Sequence, residues 1–151
     1  MRPRLALLVL LVLAARAALA QSPTPAAAAD KPVRVAYYYK VRWGFQEEFE
    51  RLFLKNHYPV LQAQVGGRLK SVNMYKPTYH GDGRADWTFA VVIVYQNWAS
   101  FLSVPGAEAE ITKKLYPDQD TFKKEEARRF EILDAHWDVP LTEVEPPKAA
   151  R

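Results

Sequence analysis

An α+β fold is what this sequence predicts: a four-stranded antiparallel sheet in the split βαβ arrangement, with its helices on one face. Three observations carry that prediction. Residues 86–95 (DWTFAVVIVY) are β-branched and aromatic and apolar on both alternations, the pattern of a central strand covered on two sides. Residues 33–43 (VRVAYYYKVRW) and 130–139 (FEILDAHWDV) alternate with a period of two. Residues 45–64 instead repeat apolar groups at helical spacing, so the elements run strand, helix, hairpin, helices, strand.

The chain opens with a segment outside that plan. Arg2 and Arg4 precede an apolar run at 5–13 that is too short to span a bilayer, and Ala18-Leu19-Ala20 supplies the small residues a signal peptidase needs. The expectation is a signal peptide at 1–20 cleaved after Ala20, with no membrane span thereafter and export to the periplasm or the medium. Residues 21–32 are rich in Pro and Ala and read as a tether, residues 33–141 as one domain, and residues 142–151 as a flexible tail. The leader holds three of the 21 basic residues, leaving 18 against 17 acidic ones. A near-neutral mature chain lacks the basic footprint of a nucleic-acid binder. With no cysteine in the sequence, lipid attachment through a thiol and disulfide staples are both excluded.

In the first strand Val33, Val35, Tyr37, Tyr39, Val41 and Trp43 share the helix-facing side, and Gly44 ends it. On the helix at 45–64, Phe45, Phe49, Leu52, Phe53, Asn56 and Val60 form one stripe. Pro59 cannot donate to the carbonyl four residues back, which predicts a kink or restart near 56–58, and Gly66-Gly67 stops the helix. Residues 68–76 form a second strand, joined through Gly81-Asp82-Gly83 to the central one in an antiparallel hairpin. There Trp87, Phe89, Val91, Ile93 and Tyr95 fall on one alternation and Ala90, Val92 and Val94 on the other. Asn97 caps a short helix, a second helix covers 107–115, and a third, started by Asp118 or Asp120, highly charged and expected to be mostly solvated, covers 121–129. The last strand sets Leu133, Ala135, Trp137 and Val139 against Ile132, Asp134, His136 and Asp138.

This order leaves one sheet face without helices, and an apolar face of that size marks an interface. A homodimer paired sheet to sheet is the expected remedy.

The helix stretch FERLFLKNHYPVL at 49–61 resembles the pattern of the dimeric α/β-barrel superfamily, ferredoxin-like proteins of the EthD-like and antibiotic-biosynthesis monooxygenase-like kind. The positions that match are His57, Pro59 and Val60. The resemblance implies a barrel built by two subunits, with a pocket in each between sheet and helices. It implies no single activity, because the superfamily includes oxygenases, isomerases, haem enzymes and members without a known reaction. The haem-degrading branch places an Asn on strand one and a Trp and His further along. Residues 33–43 contain no Asn, and neither Trp87 nor Trp98 is followed by a suitably placed His.

The candidate catalytic residue is His57, a general base or hydrogen-bond donor at the edge of an apolar pocket. The alternative is a structural histidine that satisfies the backbone freed by Pro59. Tyr37, Tyr39, Phe53, Trp87 and Trp137 are the candidate pocket residues, and the same aromatic side chains can equally be core. Tyr38, Lys40 and Arg42 with Asp134, His136 and Asp138 line either a polar pocket or an ion-paired sheet face. The three histidines show no HxH or HExxH spacing, so no metal site is expected, and no cofactor is expected either. No phosphate-binding glycine loop or GxSxG elbow appears, and there is no thiol nucleophile. Two readings stand: a cofactor-independent enzyme acting on a small apolar or aromatic molecule, and a non-catalytic dimerisation or ligand-binding module. A cavity with converging polar groups separates them.

Overall fold

Residues 30–78, 86–103, 106–144 and 146 are described by the structure, a computed structural model. The leader at 1–20, most of the linker at 21–32, the hairpin turn with His80 and nearly all residues after 144 lie outside the described residues.

The elements are β1 (Val33–Val41), α1 (Gln46–Leu52), a π-helical turn (Phe53–His57), α2 (Tyr58–Gln62), β2 (Leu69–Tyr75), β3 (Phe89–Tyr95), α3 (Trp98–Leu102), α4 (Gly106–Leu115), α5 (Gln119–Glu131) and β4 (Leu133–Leu141). The sheet order is β2-β3-β1-β4 with every neighbouring pair antiparallel, the ferredoxin-like arrangement. Strands β1 and β3 are central, as their apolar sequences require. Their helix-facing side chains, among them Val35, Tyr39, Val91 and Ile93, close over Phe49 and Phe53 to form the core. Gly44 and Gly66 have φ of 90° and 88°, the left-handed region that favours glycine, and they turn the chain after β1 and after α2. Asn97 caps its helix as expected, Oδ1 accepting from the Ser100 amide at 2.8 Å, and of Asp118 and Asp120 it is Asp118 that caps the last helix, Oδ1 accepting from the Thr121 amide at 3.0 Å.

The expected interruption by Pro59 takes the form of the π turn, which lets the Tyr58 amide reach the Phe53 carbonyl. The carbonyl that Pro59 leaves without an amide donor is that of Lys55. Tyr116 supplies the missing proton, its hydroxyl lying 2.8 Å from Lys55 O and 3.0 Å from Asn56 O. The backbone repair falls to Tyr116 and not to His57, which is free for another role. Replacing Tyr116 with Phe keeps the ring against Phe122 and removes only the hydroxyl. The expected loss is about 1 kcal/mol of unfolding free energy, read from the urea midpoint, and an unchanged midpoint contradicts the assignment.

Register corrects the alternation at three places. Strand β1 stops at Val41 after a bulge at Lys40/Val41, so Trp43 is exposed instead of joining the core face. Thr88 bonds to Tyr39 O through both its amide (2.8 Å) and its hydroxyl (3.1 Å), and that hydroxyl accepts from the Val41 amide at 2.9 Å. With Thr88 tied in this way, Trp87 leaves the alternation of Phe89 and packs on Tyr38, 5.7 Å between ring centres. On β4, His136 lies opposite Tyr39 and Asp138 opposite Tyr37, whereas Trp137 lies opposite Tyr38. From Ala135 onward the polar alternation of β4 therefore faces the helices and the apolar alternation faces away from them, whereas Leu133, opposite Val41 across the bulge, packs on the core. Helix α5 runs to Glu131, past the expected end at 129, and it is less solvated than expected because Arg129 is 1 % exposed.

The face turned away from the helices carries Ala36 and Tyr38 from β1, Ala90, Val92 and Val94 from β3, and Trp137, Val139 and Leu141 from β4. Tyr38 and Trp137 stack at 5.6 Å, and Val139 and Leu141 are exposed. Among the described residues no helix is long and apolar enough to cross a membrane.

Candidate functional site

Between the sheet and the helices lies a cavity of about 170 Å³. Strands contribute Tyr37, Tyr39, Val91, Ile93 and Tyr95, the π turn contributes His57, and Leu61, Arg68 and Glu108 complete the wall. Of the residues singled out from sequence, Tyr37, Tyr39 and His57 line it together. Phe53 lies behind them, fully buried, with its ring 5.2 Å from His57 and 5.9 Å from Tyr39. Trp87 and Trp137 do not reach it, because both pack on Tyr38 across the sheet.

His57 is held from behind. Its Nδ1 is 3.5 Å from Glu126 Oε2, so this ring nitrogen faces the carboxylate. Glu126 is gripped in turn by Arg129, with Nε at 3.0 Å and Nη2 at 2.8 Å in a two-pronged ion pair. The guanidinium lies over Phe130 at 4.5 Å and near Phe53 at 5.6 Å, a cation on aromatic faces. Burial alone pushes the Glu126 carboxyl up, but the bonds from His57 and Arg129 outweigh it and bring it down to about 2. His136, stacked 4.4 Å from Tyr39, is pushed toward its neutral form by burial, against the pull of Asp138.

At another wall of the cavity the Tyr37 and Tyr95 hydroxyls are 2.6 Å apart. Burial raises both phenols above their ordinary range, Tyr37 further through its bond to Tyr95, so both remain neutral hydrogen-bonding groups. Burial likewise raises Tyr39 to about 12, against the lowering influence of Arg129. Arg68 lies 5.1 Å over the Tyr95 ring and donates to Ser100 O (2.7 Å), Phe101 O (3.3 Å) and Gln64 Oε1 (3.2 Å), with Glu108 at 3.8 Å. Among the described residues no group of three or more His, Asp or Glu side chains is arranged to hold a metal ion.

Sequence reasoning did not select Tyr95, Arg68, Glu108, Glu126 or Arg129. Tyr95 carried a signal, since its alternation places it beside Val91 and Ile93 with a polar tip. Glu126 and Arg129, three apart on a helix read as solvated, carried none.

The fold and site define a ferredoxin-like α+β domain with a small sheet–helix cavity. No family model matches the chain, and no curated protein does. Solved structures similar to it include a NIPSNAP family protein from Agrobacterium tumefaciens, at 17 % identity over 76 % of this chain and 87 % of that one, TM-score 0.45. A dimeric ferredoxin-like protein of unknown function from Thermobifida fusca shares 16 % identity over 74 % and 91 %, TM-score 0.43. The hydroxynitrile lyase of Passiflora edulis shares 15 % over 78 % and 99 %, TM-score 0.45.

Proposed function

We propose that this protein binds a small, largely apolar molecule between its sheet and the π turn, as a homodimer joined through the open sheet faces, and moves a proton on that molecule without a cofactor. The observation that carries the reading is the cavity itself, where an imidazole backed by a carboxylate and a pair of tyrosine hydroxyls converge on one space whose apolar wall is Leu61, Val91 and Ile93. Aromatic side chains do not fill that space, as a pure interaction module requires. The volume suits one ring, since an apolar cavity of ~150 Å³ accommodates benzene.

His57 Nε2 acts as the base, and the Nδ1 to Glu126 contact stabilises the imidazolium that forms. A hydroxyl of the Tyr37–Tyr95 pair donates to the oxygen on which charge develops. Native mass spectrometry of protein purified from its own host tests the whole reading. The expected species is a dimer with a retained small molecule. In the His57→Ala variant the molecule is lost while the melting temperature stays within a few degrees. A monomer without ligand, or equal loss of ligand and fold in the variant, overturns the reading.

A further inference from the structure

We infer that the cavity selects an uncharged one-ring molecule that presents a carbonyl oxygen to the Tyr37–Tyr95 hydroxyl pair. This rests on the site proposed above and narrows it to a class of ligand.

Charge decides the first half. The charged groups facing the cavity are matched inside the protein: Arg68 has Glu108 at 3.8 Å and donates to three further oxygens, and Glu126 behind His57 is held by Arg129. Asp138, on the same face of β4, is not part of the cavity wall; it lies 3.1 Å from His136 Nε2 with its carboxylate half exposed to water. A carboxylate or ammonium group on a ligand finds no uncompensated partner there, and placing an unmatched charge among Val91, Ile93 and Leu61 is strongly unfavourable. The phenols do not change this, because neither ionises near neutral pH.

Hydrogen-bond counting decides the second half. Two hydroxyls carry two protons, and the 2.6 Å contact uses one of them. The hydroxyl that accepts in that contact keeps its own proton, and accepting polarises it into a stronger donor. A ligand that supplies an acceptor there completes the chain, and a carbonyl does so without bringing a donor that needs a partner of its own. A hydrocarbon leaves the donor unmatched.

The test is an NMR titration of the full chain with acetophenone, benzoate, benzylammonium and ethylbenzene, four probes of similar size. The readout is the His57 ring signals and the Val91 and Ile93 methyls. Acetophenone is expected to bind about ten-fold or more tightly than each of the other three. Tyr37→Phe, and separately Tyr95→Phe, should remove its advantage over ethylbenzene while leaving the melting temperature near wild type. Either variant alone suffices if the other fails to fold. Benzoate or benzylammonium binding as tightly as acetophenone overturns the inference and leaves the ligand site standing. Equal affinity for acetophenone and ethylbenzene overturns the carbonyl assignment. If no probe moves the cavity signals, the ligand site and the inference fall together.

Discussion

Replacing Glu126 with Gln is expected to lower the stability of the fold by about 3–5 kcal/mol, the usual result of removing one partner of a buried ion pair. Arg129 is 1 % exposed, and Glu126 is the only carboxylate within 4.0 Å of its guanidinium among the described residues. Gln has the shape of Glu but no charge, so the variant leaves a guanidinium buried among Phe49, Phe53 and Phe130 without its counterion. Converting the pair together, Glu126→Leu with Arg129→Met, should destabilise less than the single change, because both desolvation penalties disappear with the charges. Urea denaturation reads both variants, and a Gln variant within about 1 kcal/mol of wild type contradicts the account.

The pH dependence follows from the same pair. Glu126 titrates at about 2 in the folded protein against an ordinary value of 4.5, so between those values the unfolded chain binds the extra proton. Stability from this group is therefore complete above about pH 4.5 and falls away as the pH drops toward about 2. The difference between wild type and Glu126→Gln should shrink across that window. A difference constant from pH 6 to about 2 counts against the pairing.

Val92→Glu is expected to convert the proposed dimer into a monomer at micromolar concentration. Val92 lies on β3 between Ala36 of β1 and Asn73 of β2, at the middle of the sheet face that carries no helix. It is partly exposed in the single chain, so a carboxylate there reaches water and the fold tolerates it. In a sheet-to-sheet dimer the same position is covered, and two-fold symmetry brings in two charges at once. Sedimentation velocity distinguishes the outcomes: wild type at the mass of two chains and the variant at the mass of one, with matching circular dichroism. A variant that stays dimeric places the interface elsewhere. A wild type that sediments as one chain removes the dimer altogether.

Local pattern was enough for the elements and for their order. The central strand, the break before Pro59 and the caps at Asn97 and Asp118 all stand where short-range chemistry puts them, because each depends on residues within one turn or one alternation. That Tyr37, Tyr39 and His57 line the space between sheet and helix was legible for the same reason, since the period of a strand or helix assigns their faces. Trp87 and Trp137 show where that logic stops. A hydroxyl from Thr88 tied to Tyr39, and a bulge beside Val41, reverse the faces on which those rings lie.

By itself the sequence determined an α+β chain with two central apolar strands, one aromatic helix stripe and an imidazole at the stripe's edge. Only the tertiary structure decided that the charged last helix turns Arg129 and Glu126 inward behind His57, and that Tyr95 meets Tyr37 across the sheet. The reason is physical. Periodicity reports which side of an element is apolar, whereas the Tyr37–Tyr95 hydroxyl pair and the His57–Glu126 contact join residues far apart in the chain, at distances that pairing register and helix docking alone establish.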